Sequence, residues 1–234
     1  MHERSISKDG LPVAPAGILP IKAKEDLTII HRDEHLVVVD KPGGLLSVPG
    51  RGPDKQDCVV NRLKCMIPEC MEQPSVHRLD MDTSGLLVLA LHADAHRNLS
   101  RQFQEREVEK RYIALLDGAV TEDGGEIRLP FRLDVDNRPY QIYDPVHGKL
   151  GITLWHKIGE DDRSTRIGFT PITGRTHQLR VHAAHPLGLG RPIIGDRLYG
   201  KGKLGDSLLL HAHLLRFRHP ASGVIMSFES DIPF

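Results

Sequence analysis

The segment V-H-R-L-D-M-D-T-S-G, residues 76–85, holds two carboxylates that could do chemistry, Asp80 and Asp82. It is a polar, turn-prone stretch between two apolar runs, and active residues concentrate on loops that rigid elements hold in place. Either aspartate is therefore a candidate catalytic group. The alternative is that both cap the turn through side-chain to backbone hydrogen bonds. By spacing alone, capping is the simpler interpretation.

A second cluster of reactive side chains lies in P-I-T-G-R-T-H-Q-L-R-V-H, residues 171–182. Whether Q-L-R-V-H is extended or begins a helix, Arg175 and Arg180 project from one compact turn region. Each guanidinium can bind a phosphate or a carboxylate through two parallel hydrogen bonds. A pair of surface arginines is equally compatible with this segment.

His92 and His96 have the i, i+4 spacing that zinc enzymes use on a helix. The intervening glutamate and a third ligand are missing, which favours a solvated helix face. The cysteines, Cys58, Cys65 and Cys70, match no zinc or redox signature, so we expect reduced thiols with a structural role on or near one helix.

The elements that must position these residues can be predicted from hydrophobic periodicity. Two β-branched runs, L-T-I-I-H-R-D and H-L-V-V-V-D-K-P, predict a hairpin. Apolar residues at helical spacing predict an amphipathic helix over residues 55–66, which Pro68 ends. After the aspartate segment we expect a buried strand at L-L-V-L-A-L, a helix over residues 93–104 and a strand at R-Y-I-A-L-L-D-G.

The second half of the chain is made of short β-type runs, namely I-T-L-W-H-K-I, T-R-I-G-F-T-P, L-L-L-H-A-H-L-L-R-F and V-I-M-S-F-E. Strands with a few helices in irregular order predict an α+β fold around a mixed, mostly antiparallel sheet with flanking helices. Residues 1–24 contain Pro12, Pro15 and Pro20 among small and polar residues, which predicts a mobile leader. We therefore expect one catalytic domain over residues 25–234.

Composition excludes several classes of protein. The 234 residues are 39% hydrophobic and 26% charged, which is ordinary for a globular protein. No apolar run approaches the roughly 20 residues of a membrane span, and the N-terminus lacks the apolar core of a secretory signal. We expect a cytoplasmic protein that does not bind membranes.

The formal net charge is zero, but it is unevenly distributed. Between residues 163 and 219 there are ten lysines and arginines and two acidic residues. A basic surface for a polyanion would explain this excess. Scattered solvated charges explain it equally well.

Taken together, five blocks make the sequence recognisable. H-R-L-D-M-D-T-S-G-L-L-V-L-A, with V-V-V-D-K-P-G-G-L-L-S-V-P-G upstream and G-R-T-H-Q-L-R-V-H, I-I-G-D-R-L-Y-G and L-L-L-H-A downstream, resembles the RluA family of pseudouridine synthases. The blocks occur in the family's order and cover the chain from about Asp26 to the C-terminus. The resemblance implies an isomerase that converts uridine to pseudouridine in RNA. Because that reaction involves no redox change or hydrolysis, we expect no cofactor and no metal.

The resemblance also implies residue roles. Asp80 corresponds to the catalytic aspartate, which leaves a structural role for Asp82. Tyr112 corresponds to the tyrosine that packs against the target base, and Arg180 to the arginine that pairs with the catalytic carboxylate. The basic linker over residues 101–111 matches a loop that closes over RNA. We predict substrate contacts for Arg78, Arg175, His177 and Leu210.

Substrate choice stays more open than the chemistry. The absence of room for an S4-type RNA-binding domain and the segment L-L-S-V-P-G-R-G are similar to the RluA subgroup, whose members modify stem-loops in 23S rRNA and the anticodon stem-loop of tRNA. One or both RNAs are compatible with this sequence, and no protein partner is implied, so we expect a monomer. Two other functions remain: an RNA-binding protein that keeps the fold without catalysis, and a nucleoside hydrolase that releases free uracil.

Overall fold

The computed structural model describes residues 27–234, so the predicted leader over residues 1–24 lies outside the described residues. The described chain forms one ten-stranded sheet with three α-helices, which confirms the predicted α+β class. In chain order the elements are β1 Thr28–Arg32, β2 Leu36–Lys41, α1 Val59–Met66, β3 Ser84–Ala90, α2 Ala93–Gln104, β4 Glu109–Asp117, β5 Gly124–Leu133, β6 Gln141–Tyr143, β7 Lys149–Glu160, β8 Ser164–Pro171, α3 Gln178–Ala184, β9 Leu210–Arg218 and β10 Ile225–Glu229.

The sheet is mixed and mostly antiparallel, as the sequence predicts. Its strand order is β1-β2-β3-β9-β4-β8-β7-β5-β6, and β10 pairs with β9. Among the described strands the one parallel pair is β3 with β9, and it is only two residues long. The chain thus forms two antiparallel halves, which meet at this short parallel contact.

In the first half, both faces of the sheet are covered by helices. Side chains alternate along a strand, so successive residues of β2 pack on opposite faces. Val37 and Val39 of β2 pack with α1 on one face, whereas Leu36 and Val38 pack with α2 on the other. This explains the uninterrupted apolar run L-V-V-V, since a strand with two buried faces has no solvent side.

None of the helices within residues 27–234 is long and apolar enough to cross a membrane.

In the second half, strands β4, β5, β7 and β8 form the core together with α3, which contributes Leu179 and Val181. Tyr112 on β4 packs partly against this core and partly against the core under α1. It therefore stands at the boundary between the two halves, beside the parallel contact.

That contact depends on a glycine. Gly85 follows the T-S of the aspartate segment and has a φ of +110°, a backbone conformation that L side chains rarely adopt. A Cβ atom at this position would lie 2.4 Å from the carbonyl oxygen of Ala212 on β9. Gly85 thus allows β3 and β9 to meet immediately after the loop that carries Asp80.

Local predictions and observed elements differ in two places. The first helix begins at Val59 rather than at residue 55, because Pro53–Lys55 forms a separate 3-10 turn. Strands β5 and β6 were not predicted from the sequence. The glycine pair at 124 and 125 and Pro130 interrupt the β-type pattern of β5, and the three residues of β6 are too few to show one.

Candidate active site

A cleft of about 860 Å³ opens between the two halves of the sheet. Its walls are the loop over residues 76–80 with Thr83, the segment leading into β4, and residues 170–180. Every residue that the sequence predicted for the site lines this cleft: Asp80, Arg180, Tyr112, Arg78, Arg175, His177 and Leu210. Its volume lies within the range of small-ligand sites, so it can enclose a nucleotide.

The loop that carries Asp80 is held through its backbone. The Ser47 hydroxyl donates to the carbonyl oxygen of Leu79 at 2.7 Å and accepts from the Leu79 N–H at 3.1 Å. The carbonyl oxygen of Met81 accepts from the Lys41 ammonium and from the Gly44 N–H, each at 2.9 Å. Both neighbours of Asp80 are therefore fixed, and its side chain is left to act.

Lys41 is fully buried, and its ammonium also donates to the carbonyl oxygens of Leu45 and Pro42. Burial lowers the pKa of Lys41 to about 7, although the negative charges of Asp80, Asp82 and Asp40 act to raise it. No carboxylate of the described residues lies within 4.0 Å of this ammonium. Its partners are instead the backbone carbonyls that shape the loop.

The two aspartates of the segment have different surroundings. The Asp82 carboxylate accepts from Arg197 at 3.1 Å through both oxygens, so it joins the loop to the segment before β9. The Asp80 carboxylate is half-buried, and no residue within 27–234 donates a hydrogen bond to it. No lysine, arginine or histidine nitrogen of these residues lies within 4.0 Å of it either. The capping interpretation is therefore wrong for Asp80, whose carboxylate is available to a substrate.

The predicted ion pair between Arg180 and Asp80 is wrong in this structure. The Arg180 guanidinium instead forms two hydrogen bonds, of 2.8 and 2.7 Å, with both oxygens of Asp196. Burial alone would lower the pKa of Arg180, but the bond to Asp196 outweighs it and the pKa is raised. Asp80 adds to this rise through space, so Arg180 acts on Asp80 as a nearby charge and not as a direct partner.

An apolar surface lies beside the carboxylate. Burial raises the pKa of Tyr112 far above its usual value, and the charge of Asp80 adds to the effect, so the phenol stays neutral. Leu210 on β9 is buried and lines the same part of the cleft. An aromatic ring and an aliphatic side chain next to a free carboxylate suit a flat base such as uracil.

The rim of the cleft carries cations without carboxylate partners. Arg78, Arg106, Lys110 and Arg175 line it, and no carboxylate of residues 27–234 lies within 4.0 Å of their charged groups. The acidic side chains of the rim are neutralised, Glu107 by Arg101 and Glu109 by Arg111. The entrance is therefore electropositive, as binding of a phosphate backbone requires.

The basic excess over residues 163–219 does not form one free basic face. Arg197, Lys201 and Arg216 pair with Asp82, Asp117 and Glu109, all of which come from earlier parts of the chain. The predicted linker over residues 101–111 is also shorter than expected, because α2 continues to Gln104 and β4 begins at Glu109. Arg175 of this stretch lines the cleft, whereas Arg163, Arg191, Lys203 and Arg218 also have no carboxylate of residues 27–234 within 4.0 Å and lie outside it.

Local contacts describe the histidine pair and the cysteines. His92 lies before α2 and caps it by accepting from the Ala95 N–H, and His96 lies 3.3 Å from the carbonyl oxygen of Ser75, so the two do not form the solvated helix face that the sequence predicted. No group of metal-binding side chains is found within residues 27–234. The three cysteines are free: Cys58 caps α1, Cys65 lies on it, and Cys70 follows it. The prediction of structural thiols near one helix is confirmed.

Sequence reasoning missed four residues of this site: Lys41, Ser47, Asp196 and Tyr199. Each lies inside a block quoted for the family resemblance, in D-K-P-G-G, L-L-S-V-P-G or G-D-R-L-Y-G. Their types alone gave no signal, since a lysine or a serine before a turn is ordinarily solvated. Only the packing of these blocks against residues 76–83 and α3 identifies them.

Comparison with known proteins agrees with this geometry. The RNA pseudouridylate synthase family matches residues 35–185, and a solved structure of human RNA pseudouridylate synthase domain containing 1 superposes with a TM-score of 0.71 at 28% identity, covering 95% of this chain and 87% of that one. The fold is that of an RNA pseudouridine synthase.

Two relatives show which group of RNA pseudouridine synthases the chain belongs to. The dual-specificity RNA pseudouridine synthases RluA of Pasteurella multocida and Haemophilus influenzae are 45% and 44% identical to this chain, and each match covers 89% of this chain and 94% of the relative. The chain belongs to the RluA family of RNA pseudouridine synthases and is an isomerase acting on RNA.

Proposed function

We propose that this protein isomerises specific uridines in stem-loops of 23S rRNA, in the anticodon stem-loop of tRNA, or in both, with Asp80 as the catalytic carboxylate. The observation that carries the proposal is the Asp80 carboxylate, which has no hydrogen-bond partner among the described residues and lies in a cleft rimmed by unpaired cations. The relatives named as dual-specificity enzymes favour action on two kinds of RNA.

The reaction breaks the bond between N1 of uracil and C1′ of ribose, turns the base and joins C5 to C1′. The proton on C5 is lost and N1 gains one, so the product is an isomer of the substrate. An ionised carboxylate is needed, either to attack C1′ or to take a proton from the ribose, and aspartate is ordinarily ionised at neutral pH. Asp80 is the group placed for either step.

Access to the glycosidic bond requires the nucleotide to leave its stack, at a cost of a few kcal/mol. Tyr112 and Leu210 offer the extruded base an apolar surface, and aromatic stacking contributes about 1 to 3 kcal/mol. Arg78 is exposed beside Asp80 and is placed either to fill the vacated space or to bind a phosphate. Arg175 lines the same cleft, and we assign it to a phosphate of the RNA.

The test is Asp80→Asn in the purified enzyme, with Asp54→Asn at an exposed position as the matched control. Because the Asp80 carboxylate accepts no hydrogen bond from the described chain, the variant should fold with an unchanged free energy of unfolding. Its rate of pseudouridine formation should fall by at least about 1,000-fold. Full activity of Asp80→Asn would overturn the proposal.

The RNA is tested by offering the wild-type enzyme a 23S rRNA fragment and a tRNA transcript separately and mapping pseudouridine in each. Product in both supports dual specificity, and product in one restricts it. Chromatography of the same reactions separates the alternatives: free uracil would indicate a hydrolase, and binding without any product would indicate an RNA-binding protein.

We also propose that the enzyme acts as a monomer in the cytoplasm. One chain supplies every predicted site residue, and its cysteines are free thiols. Light scattering of the purified protein should give the mass of one chain. With RNA added, the complex should have the mass of one chain and one RNA.

A further inference from the structure

The hydroxyl group of Tyr199 links β6 to the wall of the cleft. It accepts a hydrogen bond from the Gln141 N–H at 2.8 Å and lies 2.9 Å from Nδ1 of His177. Burial raises the pKa of Tyr199 to about 12, so the hydroxyl keeps its proton. Within residues 27–234, Nδ1 of His177 is the one acceptor within reach of that proton.

This arrangement determines the tautomer of His177. A backbone N–H can only donate, so the Tyr199 oxygen accepts from Gln141. If it also accepted from His177, the hydroxyl proton would have no acceptor within residues 27–234, so we infer that Tyr199 donates to Nδ1 of His177. Nδ1 of His177 is then unprotonated in the neutral ring, and the proton lies on Nε2. The tautomer thus follows from the hydrogen-bond network.

Nε2 of His177 is left as an unused donor in the cleft wall. No described residue accepts from it. Within residues 27–234, the ring nitrogens that are both fully buried and without a partner belong to His182 alone. Nε2 of His177 has no partner there and is not among them, so it is accessible to solvent. His177 lines the cleft and is 9% exposed, so its free N–H faces the space where the substrate binds.

The ring has little freedom to move. His177 precedes α3 with φ 56° and ψ 17°, a left-handed conformation that is rare for residues other than glycine and asparagine. Its ring meets that of Tyr199 edge to face at 5.7 Å. Tyr199 itself is held by Asp196, which accepts from the Tyr199 N–H at 3.0 Å.

The charged groups that act on His177 come from three parts of the chain. They are Asp80 and Asp82 on the loop, Arg180 on α3, and Asp196 in the segment before β9. Burial lowers the pKa of His177, and Asp80 opposes this more than any other charge. His177 is therefore a neutral donor close to the catalytic carboxylate.

We propose that Tyr199 is a positioning residue that holds His177 as the Nε2–H tautomer, so that this N–H donates to a carbonyl oxygen of the target uracil. The proposal rests on the proposed function. When the bond between N1 and C1′ breaks, its electron pair passes to the uracil, whose charge spreads to O2 and O4. A donor held in advance at one of these oxygens stabilises that charge.

The tautomer can be measured without RNA. In protein labelled with ¹⁵N-histidine, long-range NMR correlations distinguish a protonated Nε2 from a protonated Nδ1, and His177→Gln assigns the signals. The wild type and the control Tyr140→Phe should show Nε2–H. Tyr199→Phe, which removes one hydroxyl, should show a mixture of both tautomers. An Nδ1–H form in the wild type, or an unchanged spectrum in Tyr199→Phe, would overturn the proposal.

The kinetic test uses the pH dependence of the same variants. At pH 8, kcat of Tyr199→Phe should fall in proportion to its measured Nε2–H fraction, about 2-fold for an even mixture of tautomers, with little change in KM, because part of the enzyme lacks the donor. Below the pKa of His177 both nitrogens carry protons, so the deficit should shrink as the pH is lowered through that pKa, which is measured by NMR in the same variants. A deficit that stays constant across this titration indicates a merely structural defect and would contradict the proposal.

Modified substrates identify the oxygen. Sulfur is a weaker acceptor, so 2-thiouridine or 4-thiouridine at the target should slow the wild type more than Tyr199→Phe at the contacted position, because only part of the variant carries the donor. Equal slowing of both enzymes by both substitutions would contradict a contact with the base. An inactive wild type with the Nε2–H tautomer would overturn the proposed function, whereas an active one with Nδ1–H would overturn only this inference.

Discussion

Two buried cations flank the loop that carries Asp80, and the chain satisfies them in different ways. Arg180 on α3 has a carboxylate partner, Asp196, in a bidentate pair, and its pKa is raised. Lys41 at the end of β2 has carbonyl partners alone, and burial lowers its pKa to about 7. The comparison teaches that a full opposite charge secures a buried cation, whereas carbonyl dipoles hold its position but not its charge.

The largest effect should come from breaking the carboxylate pair. Asp196→Asn keeps an oxygen for the N–H groups of Leu198 and Tyr199 but leaves the Arg180 charge buried and unpaired. We expect a loss of about 3 to 5 kcal/mol in the free energy of unfolding, measured by urea denaturation, together with loss of activity.

Two variants sharpen this result. Asp117→Asn breaks an exposed pair with Lys201 and should cost less than about 1 kcal/mol. Arg180→Met/Asp196→Asn removes the stranded charge, so it should recover part of the stability without recovering activity. If Asp196→Asn were as stable as the wild type, the ion pair between Arg180 and Asp196 would not be what stabilises this side of the cleft.

A smaller effect is expected on the other wall. Lys41→Met keeps the bulk of the side chain but removes the ammonium donor from the carbonyl oxygen of Leu45 and leaves that of Met81 with the Gly44 N–H alone. We expect a loss of about 2 to 3 kcal/mol in stability, and a fall in kcat because the loop neighbouring Asp80 is less well held. Lys203→Met, at an exposed lysine, is the control; equal effects of the two would contradict the role of Lys41.

The smallest effect at neutral pH should come from His182, which lies two residues after Arg180 on α3. Both ring nitrogens are buried without a hydrogen-bond partner among residues 27–234, and burial lowers the pKa of His182 to about 4. Because the unfolded chain has the ordinary value near 6.5, the folded form binds fewer protons between pH 6.5 and 4. Stability is therefore full above pH 6.5 and is lost as the pH falls toward 4.

Chemical denaturation across this pH range tests the sign. His182→Leu should reduce the slope of unfolding free energy by up to about 1.4 kcal/mol per pH unit, while His147→Leu, at an exposed site, should leave it unchanged. Part of the slope should persist, since burial also lowers the pKa of His77, to about 3. An unchanged slope in His182→Leu would contradict the assignment.

Local pattern and tertiary contact account for different parts of this protein. The hairpin of β1 and β2, the bounds of α2 and the buried strand β3 follow from periodicity within short windows, and all were predicted. Strand β5 was missed because its Pro130 and paired glycines obscure the alternation, and only pairing with β7 over eight residues reveals it. Short windows report backbone preference, not the partner that completes a strand.

The sequence by itself determined the class of enzyme, through the order of its blocks, and the residues that line the cleft. Tertiary structure decided their relations: that Asp82 is occupied by Arg197 while Asp80 is free, and that Arg180 pairs with Asp196. The sequence places Arg180 and Asp196 16 residues apart, and Arg197 and Asp82 115 residues apart. Such pairings depend on how the sheet brings distant segments together, which no local pattern of residues records.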